Sequence, residues 1–172
     1  MATTGAAWPD GAPETVAATE IGRANALMAA GWCHAHLDDY QQAHDCCVRA
    51  LALYRQHPVS EGQAATLHNL GYVAQSTGEH AKAADYFEQS LVIFRQLGNS
   101  YSEANILDQL GQTFAALADH QRARTAWRRA LDLVARIQAR LDLCLSGQDQ
   151  RGAKSATADR EAGPLPAASR QP

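Results

Sequence analysis

The sequence predicts an all-α fold, a solenoid of three antiparallel helical hairpins followed by a C-terminal capping helix or helix extension. Three observations carry this. First, apolar residues recur at helical spacing, as in Leu67, Leu70, Gly71 and Ala74, which stand at i, i+3, i+4 and i+7. Second, turn formers such as Ser76-Thr77-Gly78 cut the helices into pairs, and Glu79 opens a second helix whose apolar face runs Ala83, Phe87, Leu91, Phe94. Third, the pattern repeats without gaps: Gly31, Gly71 and Gly111 stand 40 residues apart. A period of that kind is the signature of stacked supersecondary units.

The chain has 172 residues and a formal charge of −3, one domain's worth of length with a charge too mild to imply nucleic acid or an anionic membrane as partner. The N-terminus has no basic segment followed by an apolar one, and no apolar run reaches the roughly 18 residues that span a bilayer. Cys33, Cys46, Cys47 and Cys144 form no C-x-x-C pair and read as reduced thiols of a cytoplasmic protein.

Taken in order, residues 1–18 are rich in Ala, Thr, Gly and Pro without a period and read as a disordered leader containing Trp8. Residues 19–145 hold the array, with copies at about 20–58, 59–98 and 99–137 and a cap at 137–145. In that cap Ile137, Leu141 and Cys144 or Leu145 share one helical stripe. Residues 146–172 are polar, lack aromatics and read as a disordered tail.

Within the array, Leu27, Leu67 and Leu107 align, as do Ala43, Ala83 and Ala123, and Leu51, Leu91 and Leu131. The Ala and Gly columns mark close approach of two helices, where a larger side chain would force them apart. Asp39, Glu79 and Asp119 sit where each second helix starts, so a carboxylate meets the positive end of the helix dipole. His57-Pro58 and Gly98-Asn99-Ser100 end the second helices of the first two copies.

Leu107, Leu110-Gly111, Phe114, Ala123 and Trp127 in copy three fit the pattern of the tetratricopeptide repeat, which the chain resembles over about residues 20–137. Copy two fits it with Leu67, Leu70-Gly71, Ala74, Ala83, Phe87, and copy one, degenerate, with Leu27, Ala30-Gly31, His34, Ala43, Cys47. The family's usual period is about 34 residues. A period of 40 is nearer that of HEAT and armadillo repeats, but Leu-Gly followed by Ala-x-x-x-aromatic is not their pattern. The phrase HNLGYVAQSTGEHAKAADYFEQSLVIFRQLGN is similar to the C-terminal repeats of bacterial antibiotic-regulatory-type activators, which carry a DNA-binding and an NB-ARC nucleotide-binding domain before them. No G-x-x-x-x-G-K-[ST] phosphate loop occurs in this sequence, so the resemblance implies the repeat array's role alone.

That role is protein binding, in a right-handed stack whose concave face is lined by the first helix of each pair. The face next to the core stripe falls on Met28, Ala29, Trp32 and His36 in copy one. It continues on His68, Asn69, Tyr72 and Gln75 in copy two, and on Asn105, Asp108, Gln109 and Gln112 in copy three. Amides there can pair with the backbone of an extended peptide, and Trp32 and Tyr72 can give flat contact area. The only lysines, Lys82 and Lys154, lie elsewhere, which speaks against the cationic clamp by which some relatives hold a chaperone's C-terminal carboxylate.

Other chemistry is weakly marked. Cys33, His34, His36, His44, Cys46 and Cys47 cluster in copy one, but Cys47 and His34 occupy core columns and the spacing matches no zinc motif, so no metal or other cofactor is expected. Arg122, Arg124, Arg128, Arg129, Arg136 and Arg140 are interleaved with Asp119, Asp132 and Asp142 and read as a solvated face rather than a nucleic-acid contact. Ser76, Ser90, Ser100 and Ser102 lie at turns or in a core column with no coupled base, so the chain is not expected to be an enzyme. The expected function is a protein–protein interaction module that binds a peptide or protein partner. Its rivals are a fragment or stand-alone relative of a transcriptional regulator and a structural module that self-associates as a homo-oligomer.

Overall fold

Helix formers with a 40-residue period become six helices in the structure, a computed structural model that describes residues 13–57 and 59–161. They are α1 (Pro13–His36), α2 (Tyr40–Gln56), α3 (Ser60–Ser76), α4 (His80–Gln96), α5 (Ser100–Ala116) and α6 (His120–Glu161). No strand occurs among the described residues. Helices α2 to α5 have 17 residues each. With three-residue links between them, they account for the long period.

The chain divides into two units, Met1–Leu133 and Val134–Pro172. In the first, α1 packs on α2, α3 on α4, and each pair on the next, while α1 also touches α3 directly. The core lies between and within the hairpins: Phe87, Leu91, Leu107, Leu110 and Phe114 join copies two and three, and Cys47, Leu51, Leu67 and Leu70 join copies one and two. Tyr54 is fully buried, and its hydroxyl donates to Asn25 Oδ1 at 2.5 Å. Buried Ser90 donates to the Ala64 carbonyl at 2.7 Å, which satisfies its hydroxyl across two helices.

The glycine columns do what their spacing implies. A Cβ on Gly71 would stand 2.6 Å from a ring carbon of Phe87, and one on Gly31 2.5 Å from Cys47 Sγ. Gly111 faces Trp127 in the same way. Each hairpin turn is closed by a residue in the left-handed region: Asp38 (φ 59°), Gly78 (φ 81°) and Ala118 (φ 61°). Glu79 N–H reaches back to the Ala74 carbonyl at 2.8 Å and Asp119 N–H to that of Phe114 at 2.9 Å, bonds that satisfy helix-end carbonyls. Asp39 and Asp119 cap α2 and α6 by accepting from Gln42 N–H and Arg122 N–H, whereas Glu79, one methylene longer, makes no such bond and pairs with Lys82.

Three expectations differ from the structure. Leu131 aligns with Leu51 and Leu91 as core, yet it is 69% exposed. Its two counterparts are covered by the first helix of the next copy, and no helix comes after α6 among the described residues. Helix α1 begins at Pro13, inside the expected leader, with proline in the first turn where its missing N–H costs nothing. Helix α6 continues to Glu161, past Ser146 where the sequence places the start of the tail, because residues 146–161 are mostly helix formers with no proline among them. The rest of the leader and tail, 1–12 and 162–172, lies outside the described residues.

The second unit contains the α6 residues from Val134 to Glu161. Of the two forms expected for residues 137–145, the helix extension is present, since α6 passes through them unbroken. Leu141 is 53% exposed, and the other described side chains of this stretch are exposed apart from half-buried Ile137.

Two stability outcomes follow from this geometry. Gly71→Leu must displace the Phe87 ring and should cost about 1–3 kcal/mol, whereas Gln75→Ala should change stability by only about 0.5 kcal/mol. Thermal melts by circular dichroism compare the two, and equal shifts would mean that the helix faces are reversed. Ala118→Gly should raise the melting temperature, because an L-residue in the left-handed region costs about 1–2 kcal/mol and glycine's extra chain entropy offsets only part of it. An unchanged or lower midpoint would show that the turn carries no such strain.

Candidate functional site

Helices α1, α3 and α5 each place one residue after the column glycine on the same side: Trp32, Tyr72 and Gln112. Because the glycine is pressed against the second helix, the neighbouring position is turned away from that contact. Trp32 and Tyr72 therefore meet across the boundary between copies one and two, with ring centroids 5.8 Å apart. His36, one turn after Trp32, completes the group: it stands edge-on to Trp32 at 4.0 Å and lies 5.6 Å from Tyr72. Trp32 remains 40% exposed and His36 is exposed, so the cluster presents aromatic surface outward while its members brace one another.

The remaining predicted residues divide by burial. Met28 is half-buried against the core around Tyr54, and its sulfur lies 3.9 Å from the Tyr54 hydroxyl. Asn105, Asp108 and Gln112 are exposed, and Gln112 donates to Asp108 Oδ2 at 2.9 Å, one turn away. Gln75 and Gln109 are half-buried. Asn69 is a correction: at 7% exposure it belongs to the interior and not to an open face. It precedes Leu70, the fully packed leucine before the column glycine, and its side of α3 is covered by neighbouring helices.

His68 is also largely enclosed. Its ring packs against Phe87 at 5.7 Å, its Nε2 is buried without a hydrogen-bond partner among the described residues, and burial pushes its pKa below the ordinary histidine value. The neutral form is therefore the one that fits. An unfolded chain takes up a proton near pH 6.5 that the folded chain resists, so this histidine makes stability fall as pH drops below about 6.5. His68→Gln should remove that contribution: the gap between the melting temperatures of wild type and variant should shift against wild type on going from pH 7 to pH 5. A gap independent of pH would show that His68 protonates freely in the folded state.

The cysteine–histidine cluster of copy one is dispersed. Cys33, His36 and His44 are exposed, half-buried His34 pairs with Asp39 at 3.3 Å, and Cys47 is fully buried beneath Gly31. Burial pushes the Cys47 thiol up to about 12, far from the thiolate that a metal would need. Among the described residues no three His, Cys, Asp or Glu side chains converge to hold a metal ion. No helix of the described residues is long and apolar enough to cross a membrane.

One feature escapes a reading of the sequence, a cleft of about 590 Å³ between α4, α5 and α6, floored by leucines and Phe114 and edged by Arg95, Arg122 and Arg129. The signal that could have found it is a pair of exchanges between copies: Ala74 becomes Phe114, and Tyr86 becomes Ala126.

Comparison with known proteins agrees with this architecture. Two family models described as tetratricopeptide repeat match the chain, one over residues 24–57 and one over residues 62–136. The structure is similar to the crystal structure of the TPR domain of Arabidopsis FLU, with a TM-score of 0.63 and 15% sequence identity, covering 70% of this chain and 98% of that one. At that identity the likeness concerns the fold alone. No curated protein matches the chain. The three hairpins of this chain carry tetratricopeptide repeats.

Proposed function

We propose that the face built by α1, α3 and α5 docks an extended segment of a partner protein, with Trp32, His36 and Tyr72 as its anchor. The observation that carries this reading is the partly exposed aromatic cluster that bridges two copies, since exposed, braced aromatics are the usual energetic centres of interfaces. Tetratricopeptide repeats generally mediate protein–protein interaction and are a non-enzymatic scaffold. Among the exposed predicted residues of the face, Asn105, Gln112 and Asp108 add amides and one carboxylate but no lysine or arginine, so the segment it suits is neutral or mildly cationic rather than acidic. The same reading has the protein acting in the cytoplasm, with a protein or peptide as its partner and without direct contact to nucleic acid.

Two specific features favour other roles. The 40-residue period and the sequence of copy two favour kinship with the repeats of bacterial activators, which an NB-ARC-like sequence upstream in the same reading frame would support. Exposed Leu131 favours self-association through its side of α6, which light scattering over a concentration range separates from partner binding.

Quantitative pull-downs with the full chain and with a Trp32→Ala/Tyr72→Ala double variant test the main reading. Both side chains are partly exposed, so the variant should keep its helical melt and recover the wild-type partners at least tenfold less well. Recovery of the same proteins in the same amounts would overturn it.

A further inference from the structure

Successive second helices leave a cleft between them, and the two clefts differ. Between α2 and α4 the space is about 410 Å³, bordered by Tyr40, Ala74, Lys82 and Tyr86. Between α4 and α6 it is about 590 Å³. The position of Tyr86 is held one copy later by Ala126, so the ring that stands in the first cleft has no counterpart in the second. The larger cleft keeps an apolar floor of Leu91, Leu107, Leu110, Phe114 and Ala126.

Its rim carries charges that are unequally matched. Arg122 lies over the Phe114 ring at 3.9 Å and pairs with Glu88 at 2.5 Å. Asp119 is engaged as the cap of α6. Arg95 donates through Nε to Glu103 Oε1 at 2.6 Å, but its Nη2 is buried with no acceptor among the described residues. Arg129 is exposed and makes no hydrogen bond or ion pair among the described residues. A chain of formal charge −3 thus lines this cleft with three arginines and two carboxylates, and the unmatched groups are both guanidinium donors. A buried charged donor without an acceptor is unfavourable until one is supplied.

We propose that the cleft between α4, α5 and α6 binds a partner-protein segment in which a large apolar side chain lies beside a carboxylate. The apolar side chain rests on the floor left open by Ala126. The carboxylate accepts from Arg129 and, after a small rotation of its guanidinium, from Arg95, in the charge-assisted geometry that arginine favours. This surface belongs to different helix faces from the Trp32 cluster, and its acidic preference is the opposite of that cluster's. It does not depend on the first-helix reading, and either can fail alone.

Selection of random twelve-residue peptides displayed on phage against the full chain, followed by anisotropy titration of the selected peptides labelled with fluorescein, tests the proposal. The expected outcome is enrichment of Asp or Glu next to Leu, Phe or Trp. Affinity should fall at least tenfold for Arg129→Glu, and replacing the peptide's carboxylate by lysine should restore binding to that variant. Ala126→Tyr, which copies Tyr86, should also abolish binding while the helical melt is kept. Lys82→Glu in the smaller cleft should leave affinity unchanged. Since Arg129 is exposed, its variant remains informative even if the tyrosine disturbs folding. Selection of peptides without an acidic–apolar pair, equal affinity for Arg129→Glu, or an equal loss with Lys82→Glu would each overturn the proposal. So would chain dimerisation at this cleft that the peptides fail to displace.

Discussion

The contact on which each hairpin depends is a glycine in the first helix facing a bulky side chain in the second: Gly31 on Cys47, Gly71 on Phe87, Gly111 on Trp127. Removing the Cβ lets the ring or sulfur lie directly on the first helix's backbone, which brings the two helices closer than any other residue would allow. Glycine within a helix costs about 1 kcal/mol against alanine, and burial of the facing side chain, a thiol in copy one and an aromatic ring in copies two and three, offsets it. The contact also sets rotation about the helix axis. Once the glycine points at the second helix, the residue before it points into the core, as Leu70 and Leu110 do, and the residue after it points away, as Trp32 and Tyr72 do. The position of the aromatic cluster is therefore a consequence of the glycine column and not an independent device.

Stacking supplies what a single hairpin lacks. Leu51 and Leu91 are buried only because the first helix of the next copy lies over them, together with Leu67 and Leu70 in one case and Leu107 and Leu110 in the other. Leu131 shows the converse, an identical residue at an identical position that stays exposed because no further helix covers it among the described residues. In a solenoid each unit is stabilised by its neighbours, and Leu131 lacks the neighbour that covers Leu51 and Leu91 among the described residues. The turns are held more locally. All three hairpin turns use the left-handed region whether the residue is Asp38, Gly78 or Ala118, because the backbone bonds that close each helix end require it.

The features legible in the sequence are the ones set locally. Helix spacing, turn positions and the glycine column depend on residues within one hairpin, so the periodic pattern locates the helices and places Trp32, His36 and Tyr72 on one face. Asn69 is misplaced by that pattern for a different reason. A helical wheel orders residues around one axis but does not show how wide the covered sector is, and α3 is flanked on more than one side. The exposure of Leu131 depends on whether another helix covers the last copy, and no residue within that copy encodes it. The continuation of α6 sets helix propensity against the absence of an apolar stripe, and in residues 146–161 propensity prevails.

The larger cleft is not legible from any single residue, because it arises from two exchanges that nearly cancel. Between copies two and three, Ala74 is replaced by Phe114 while Tyr86 is replaced by Ala126. Summed side-chain volume hardly changes, and a packed core tolerates such paired swaps well. What changes is where the volume sits. In one boundary the ring comes from the second helix and stands in the cleft, and in the next it comes from the first helix and lies flat beneath Arg122. The core therefore remains filled, with Phe114 5% exposed, while the space above it opens. A repeat can in this way keep its stability and move its accessible apolar surface from one boundary to another, which makes the differences between copies, rather than their shared pattern, the place where the surfaces of this array acquire their individual chemistry.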